Sequence, residues 1–195
     1  MDVEARAFTT GADTLEYCWG VAGVVGVMMA AIMGAREEAV LRRAQDLGLA
    51  FQLTNISRDV REDALNGRVY LPADALAAEG LASNSASVLD PARQASVFHV
   101  VQAQLSLAET YYDSAGAGLR ALPFRGALAV AAARRIYRQI GRKILRQGPK
   151  ALQARTRVAK PMMVWLLLLG GLDAVWSRVE RLASPPPRPN LWSRF

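Results

Sequence analysis

Asn55, Asp59 and Asp63 recur at every fourth position, so on a helix their side chains share one row. Gln52, three residues earlier, extends that row by a turn. Two carboxylates and an amide oxygen at this spacing suit a hard cation such as Mg²⁺, which keeps several waters and bridges to phosphate oxygens. An ordinary acidic helix end made by Asp59, Glu62 and Asp63 would look the same. Asp59 and Asp63 repel each other across one turn, a cost that a bound cation removes. Leu47, Leu49, Phe51, Leu53 and Ile56 make the first half of this helix apolar, which turns the row toward partly buried space.

The elements that must position this row read as helices almost throughout, and no segment alternates with period two for long enough to form a strand. The expected fold class is all-α. Residues 17–35 are uncharged and long enough to be weighed as a membrane span. Gly20, Gly23 and Gly26 fall on one face of that stretch, where another helix or an apolar ligand can approach the backbone. Helices are then expected over 36–44 and 45–63, with a turn at Asn66-Gly67 and a short helix from Pro72 to Gly80. A loop over 83–90, long helices over 91–119 and 125–147, and a break at Gly148-Pro149 follow. The last helix is expected over 161–182, and its apolar run 161–172, short for a bilayer, reads as buried. Residues 1–183 read as one helical domain and 184–195 as a proline-rich tail, disordered or extended.

Composition narrows the chemistry. With 195 residues, 52% hydrophobic and 21% charged, the chain can bury a core. A single cysteine, Cys18, excludes a disulfide framework and a cysteine-based zinc site, and a single histidine, His99, makes histidine metal sites and Ser-His-Asp chemistry unattractive. No secretory signal is visible, which predicts a cytoplasmic chain. The net charge of +7 divides into −6 over residues 1–90 and +13 over 91–195, most of the latter arginine. Such a half suits nucleic acid, an anionic membrane surface or phosphorylated substrates, and equally a plain solvated surface. No aromatic-interleaved basic motif or recognition-helix signature supports nucleic acid, so none is expected as a partner.

Tyr17-Cys18 followed by Val21-Ala22-Gly23-Val24-Val25-Gly26 resembles a segment of the squalene/phytoene synthase family. Residues 52–63, continued by Gly67-Arg68-Val69-Tyr70-Leu71-Pro72, resemble that family's second aspartate-rich motif, and residues 1–6 resemble the lead-in of its bacterial phytoene synthases. The resemblance implies an isoprenoid synthase-type helical bundle. It implies a prenyltransferase that joins two geranylgeranyl diphosphates head to head into phytoene, through a cyclopropylcarbinyl (prephytoene) diphosphate, in carotenoid biosynthesis. Carried over, Asn55, Asp59 and Asp63 hold Mg²⁺ or Mn²⁺, Gln52 and Arg58 contact substrate, Tyr137 contacts diphosphate, and Tyr17 steers cationic intermediates. A squalene-type synthase, or an inactive helical subunit at a membrane, are the alternatives. Peripheral association at the inner face of the membrane fits lipid substrates and a basic half.

The family carries a further aspartate-rich motif on an earlier helix. Asp2, Glu4 and Asp13 lack its D-x-x-x-D form. The expectation is therefore an N-terminally incomplete bundle, the C-terminal two-thirds of a synthase. Such a chain would turn over poorly alone and could draw the first motif from a separate polypeptide.

Overall fold

The computed structural model describes residues 8–179 and 185–194. The expected lead-in over 1–6, the end of the last helix near Leu182, and Ser184 lie outside them. Among the described residues every regular element is helical, as expected. Helix α1 (Gly11–Cys18) starts at a capping box: the Thr10 hydroxyl accepts from the Asp13 amide, and Asp13 accepts from the Thr10 amide at 2.8 Å. A π-helical turn, Trp19–Gly23, leads directly into α2 (Val24–Ile32), which stops at Gly34 with φ +99°.

The two helices expected over 36–44 and 45–63 are one continuous helix, α3 (Glu38–Leu65), 28 residues long. Nothing between Ala44 and Gln45 stops it, and the interior Gly48 is retained for packing rather than as a breaker. Helix α4 (Ala73–Ala78) begins behind Pro72 and ends at Gly80, φ +72°. The loop expected over 83–90 holds a short helix, α5 (Ser85–Leu89), because the Asn84 side chain accepts from the Ser87 amide at 2.8 Å. Helices α6 (Gln94–Gly116), α7 (Phe124–Gln147) and α8 (Lys160–Val179) complete the order, with Gly148 at φ +63° making the expected break.

Helix α3 is the axis of the bundle, packed against α2, α6 and α7. Leu49, Leu53, Ile56 and Val60 of α3 join Val97, Val101, Leu105 and Tyr112 of α6 in the main core. Buried polar groups register the two helices: Thr54 Oγ1 and Tyr112 Oη lie 2.9 Å apart, and Gln104 Nε2 donates to Leu53 O at 3.1 Å and Ser57 Oγ at 2.9 Å. The reading of 161–172 as a buried helix is overturned. Only Leu166, Gly170, Ala174 and Ser177 of α8 are buried, a stripe laid on α7, while Trp165, Leu168, Leu172 and Trp176 are more than half exposed. The sequence there is apolar all round, so its pattern did not reveal which face is covered. Helix α8 and the run Gly11–Ile32 are each long and apolar enough to cross a membrane by length and composition.

Of the glycines expected to admit a neighbour, Gly23 and Gly26 do so, and Gly48 meets them from α3. A Cβ on Gly48 would stand 2.7 Å from the Gly23 Cα, and one on Gly26 would stand 2.5 Å from the Ala44 carbonyl oxygen. The close neighbour is α3 itself. Helix propensity alone would make Gly48→Ala stabilising by about 1 kcal/mol. The backbone clash reverses the sign, and we expect a net loss of about 1–3 kcal/mol, read as a lower urea midpoint at unchanged slope.

Candidate functional site

The close approach of α2 to α3 leaves an apolar cavity beside the contact, with a volume of about 480 Å³. Helix α3 forms one wall with Asn55, Gln52, Gly48, Ala44 and Val40, which follow one another along a single face. Val21, Val25 and Met29 line the opposite side, and Tyr137 and Val130 of α7 a third. A greasy channel thus runs along α3 and ends among polar groups.

Those polar groups include three of the seven expected residues. Gln52, Asn55 and Tyr137 all line the cavity, and the Tyr137 ring lies on Phe51 with centroids 4.4 Å apart. Asn55 Nδ2 donates weakly to Gln52 Oε1 at 3.4 Å, whereas Asn55 Oδ1 is buried with no hydrogen-bond partner. Asp59 follows one turn on, and Arg58 grips it at both oxygens, Nε to Oδ1 at 2.8 Å and Nη2 to Oδ2 at 2.6 Å. That hydrogen bond is the largest cause holding the Arg58 pKa above its usual value.

Four expected residues, Tyr17, Arg58, Asp59 and Asp63, are not in the cavity lining. Asp63 is half-buried beside Arg68 and Tyr70, around a separate, much smaller hollow. Tyr17 stacks on Tyr70 at 5.1 Å and meets Phe8 edge-on at 5.2 Å. It precedes Val21, a lining residue, by four positions.

Arg155 is a site residue that the sequence did not announce. It reaches Asp59 at 3.0 and 3.2 Å and Glu62 at 3.6 Å from 96 residues away. No local spacing links them, and only the fold brings them together. Asp59 therefore carries two guanidinium groups, and among the described residues no group of three or more His, Cys, Asp or Glu is gathered to hold a metal ion. The donors present still suit a hard cation in type: an unsatisfied amide oxygen at Asn55 and carboxylates one and two turns on.

With this geometry in view, residues 1–163 match the family model described as squalene/phytoene synthase. This chain belongs to the squalene/phytoene synthase family. Over 194 residues it is 48% identical both to a 15-cis-phytoene synthase of Enterobacter agglomerans and to one of a Paracoccus species, covering 100% of this chain. The chain spans 64% and 62% of the length of those two relatives. A solved dehydrosqualene synthase in complex with a ligand superposes with a TM-score of 0.73 at 29% identity, over 85% of this chain and 58% of that one. The helical bundle is thus the isoprenoid synthase fold of the family.

A cation bound at Asp59 would have to compete with the half-exposed Arg155. An ion pair of that exposure contributes about 0.2–1 kcal/mol. Arg155→Ala should therefore tighten Mn²⁺ binding to the free protein by about two- to fivefold, followed by the paramagnetic signal of unbound Mn²⁺. Asp59→Asn should lose that binding. Equal Mn²⁺ affinity in the wild type and Arg155→Ala would show that the guanidinium does not compete.

Proposed function

We propose that this chain carries one side of the catalytic site of a phytoene synthase, the enzyme that condenses two geranylgeranyl diphosphates head to head into phytoene by way of prephytoene diphosphate. The observation that carries this reading is the continuity of an apolar channel of about 480 Å³ with an oxygen-rich row on the same helix. A prenyl chain belongs in the first and its diphosphate at the second. The names of the relatives at 48% identity favour phytoene over squalene as the product.

Asn55, Asp59 and Asp63 would hold Mg²⁺, which when bound offsets charge on a departing diphosphate. Arg58 and Arg155 bring two further positive charges to the same place, where their N–H groups could donate to diphosphate oxygens. Gln52 offers an amide beside Asn55, and Tyr137 lines the same channel. Its apolar walls exclude water from the carbocation that ionisation leaves. Tyr17, on the run that continues into Val21 and Val25, keeps its role of steering cationic intermediates in this proposal.

Catalysis by the family uses a second aspartate-rich row that these 195 residues do not contain. The chain alone therefore offers half of the diphosphate cradle. We place it in the cytoplasm, with peripheral membrane contact supported by the exposed apolar face of α8 and by the basic second half.

The test is a product assay with geranylgeranyl diphosphate, Mg²⁺ and detergent. The purified chain alone should yield little or no phytoene. Joining it to the preceding third of a phytoene synthase relative should restore product, and Asp59→Ala in that fusion should lower the rate by about a hundredfold or more. Full-rate phytoene from the chain alone would refute the half-site reading. A fusion that folds and makes no prenyl product would refute the assignment of function.

A further inference from the structure

At the end of the channel away from Asp59, α3 presents a charged residue where an apolar one would be expected. Arg43 precedes Asn55 by twelve positions, about 18 Å along the helix. It lines the channel and is only 8% exposed. Its guanidinium is tied on both sides. Nη1 donates to Ser114 O at 3.1 Å and Ser114 Oγ at 2.7 Å, and Nη2 donates to the Pro186 carbonyl at 2.6 Å. The stem is tied as well, since a Cβ on Gly118 would stand 2.8 Å from the Arg43 Cβ.

Beyond Arg43 lies a second cavity of about 440 Å³, roofed by residues 185–188. The two cavities share Val40, Arg43 and Gly118 in their linings, so these residues form the partition between them. Of the three, Arg43 alone has a long side chain, and it is locked in place by hydrogen bonds to two other segments. A long aliphatic residue there would exchange rotamers and give a soft end to the channel. A buried guanidinium with its partners in place does not move without losing them.

We propose that Arg43 is the stop that limits the length of prenyl chain the channel admits, and that the space behind it would receive the extra isoprene unit if the stop were shortened. This inference rests on the reading of the channel as a prenyl site.

The experiment measures calorimetric affinities of the chain, with Mg²⁺, for geranylgeranyl diphosphate and for geranylfarnesyl diphosphate, one isoprene unit longer. Each methylene in a fitted apolar pocket shifts discrimination by about tenfold or more. The wild type should therefore bind the longer ligand at least about tenfold more weakly. Arg43→Ala should bring the two affinities to within about threefold of each other. Arg43→Gln keeps an amide donor for Ser114 and gives up the reach to Pro186, and it carries the comparison if the alanine variant does not fold. A folded variant that binds geranylgeranyl diphosphate and still rejects the longer ligand overturns the stop alone. So does a wild type that binds both equally. Failure of the wild type to bind either diphosphate in a Mg²⁺-dependent way would overturn the prenyl-site reading, and the stop with it.

Discussion

The structure depends on the contact of two backbones at Gly48. With no side chain at that position, the carbonyl of Ala22 and the Cα of Gly23 rest directly on α3. This approach carries the π-helical turn Trp19–Gly23 alongside the middle of α3, so that Val21 and Val25 stand opposite Ala44, Gly48 and Gln52. The width of the channel follows from it. A larger residue at 48 would separate the walls and open the channel to water. The π turn has a matching role: the extra residue it takes into one turn redirects the side chains that follow it, as insertions of this kind do at functional sites.

One helix serves three functions at once, and its electrostatics are graded to suit. At the channel's polar end, Asp59 is partly open to solvent and balanced by Arg58 and Arg155, an arrangement that incoming charges can rearrange. At the far end, Asp46 is fully buried and held by Arg188 at 2.9 and 2.7 Å together with the Ser114 hydroxyl. Removing one partner from such a sealed pair costs about 3–5 kcal/mol, so this end is fixed. A partly exposed ion cluster and a sealed one thus sit about 20 Å apart on the same helix, given thirteen residues at 1.5 Å each.

The helical class, the long helices and the row on α3 were legible because period and spacing are local properties. Asn55, Gln52 and Tyr137 all line the channel. Three features were not legible, each for its own reason. The division of α3 at Ala44 failed because no residue between Glu38 and Leu65 ends a helix. The exposure of α8 was hidden by a sequence apolar on every face. The basic second half suggested an anionic partner, whereas part of its charge folds back on the acidic first half: Arg155 meets Asp59, Arg188 meets Asp46 and Arg194 meets Glu16. Pairs separated by 96 to 178 residues leave no mark in local spacing.

The proline-rich tail shows how such a pairing could still be sought. Its composition reads as disordered or extended, yet residues 185–194 lie on the bundle without regular structure and bonded to it. Arg43, Gln45 and Asp46 form a polar cluster within the apolar α3, all three buried. Buried polar groups need partners, and the helix's own backbone cannot supply them. The tail does: Pro186 O accepts from Arg43, Arg188 pairs with Asp46, and Ser193 Oγ and the Arg194 amide meet Gln45 at 3.2 Å. Its prolines lower the entropy lost on docking, because the segment is already stiff before it binds. Three adjacent unsatisfied residues in a core helix are thus a sequence-level sign that some other segment must cover them, and an arginine-bearing, proline-stiffened terminus has the chemistry to do it.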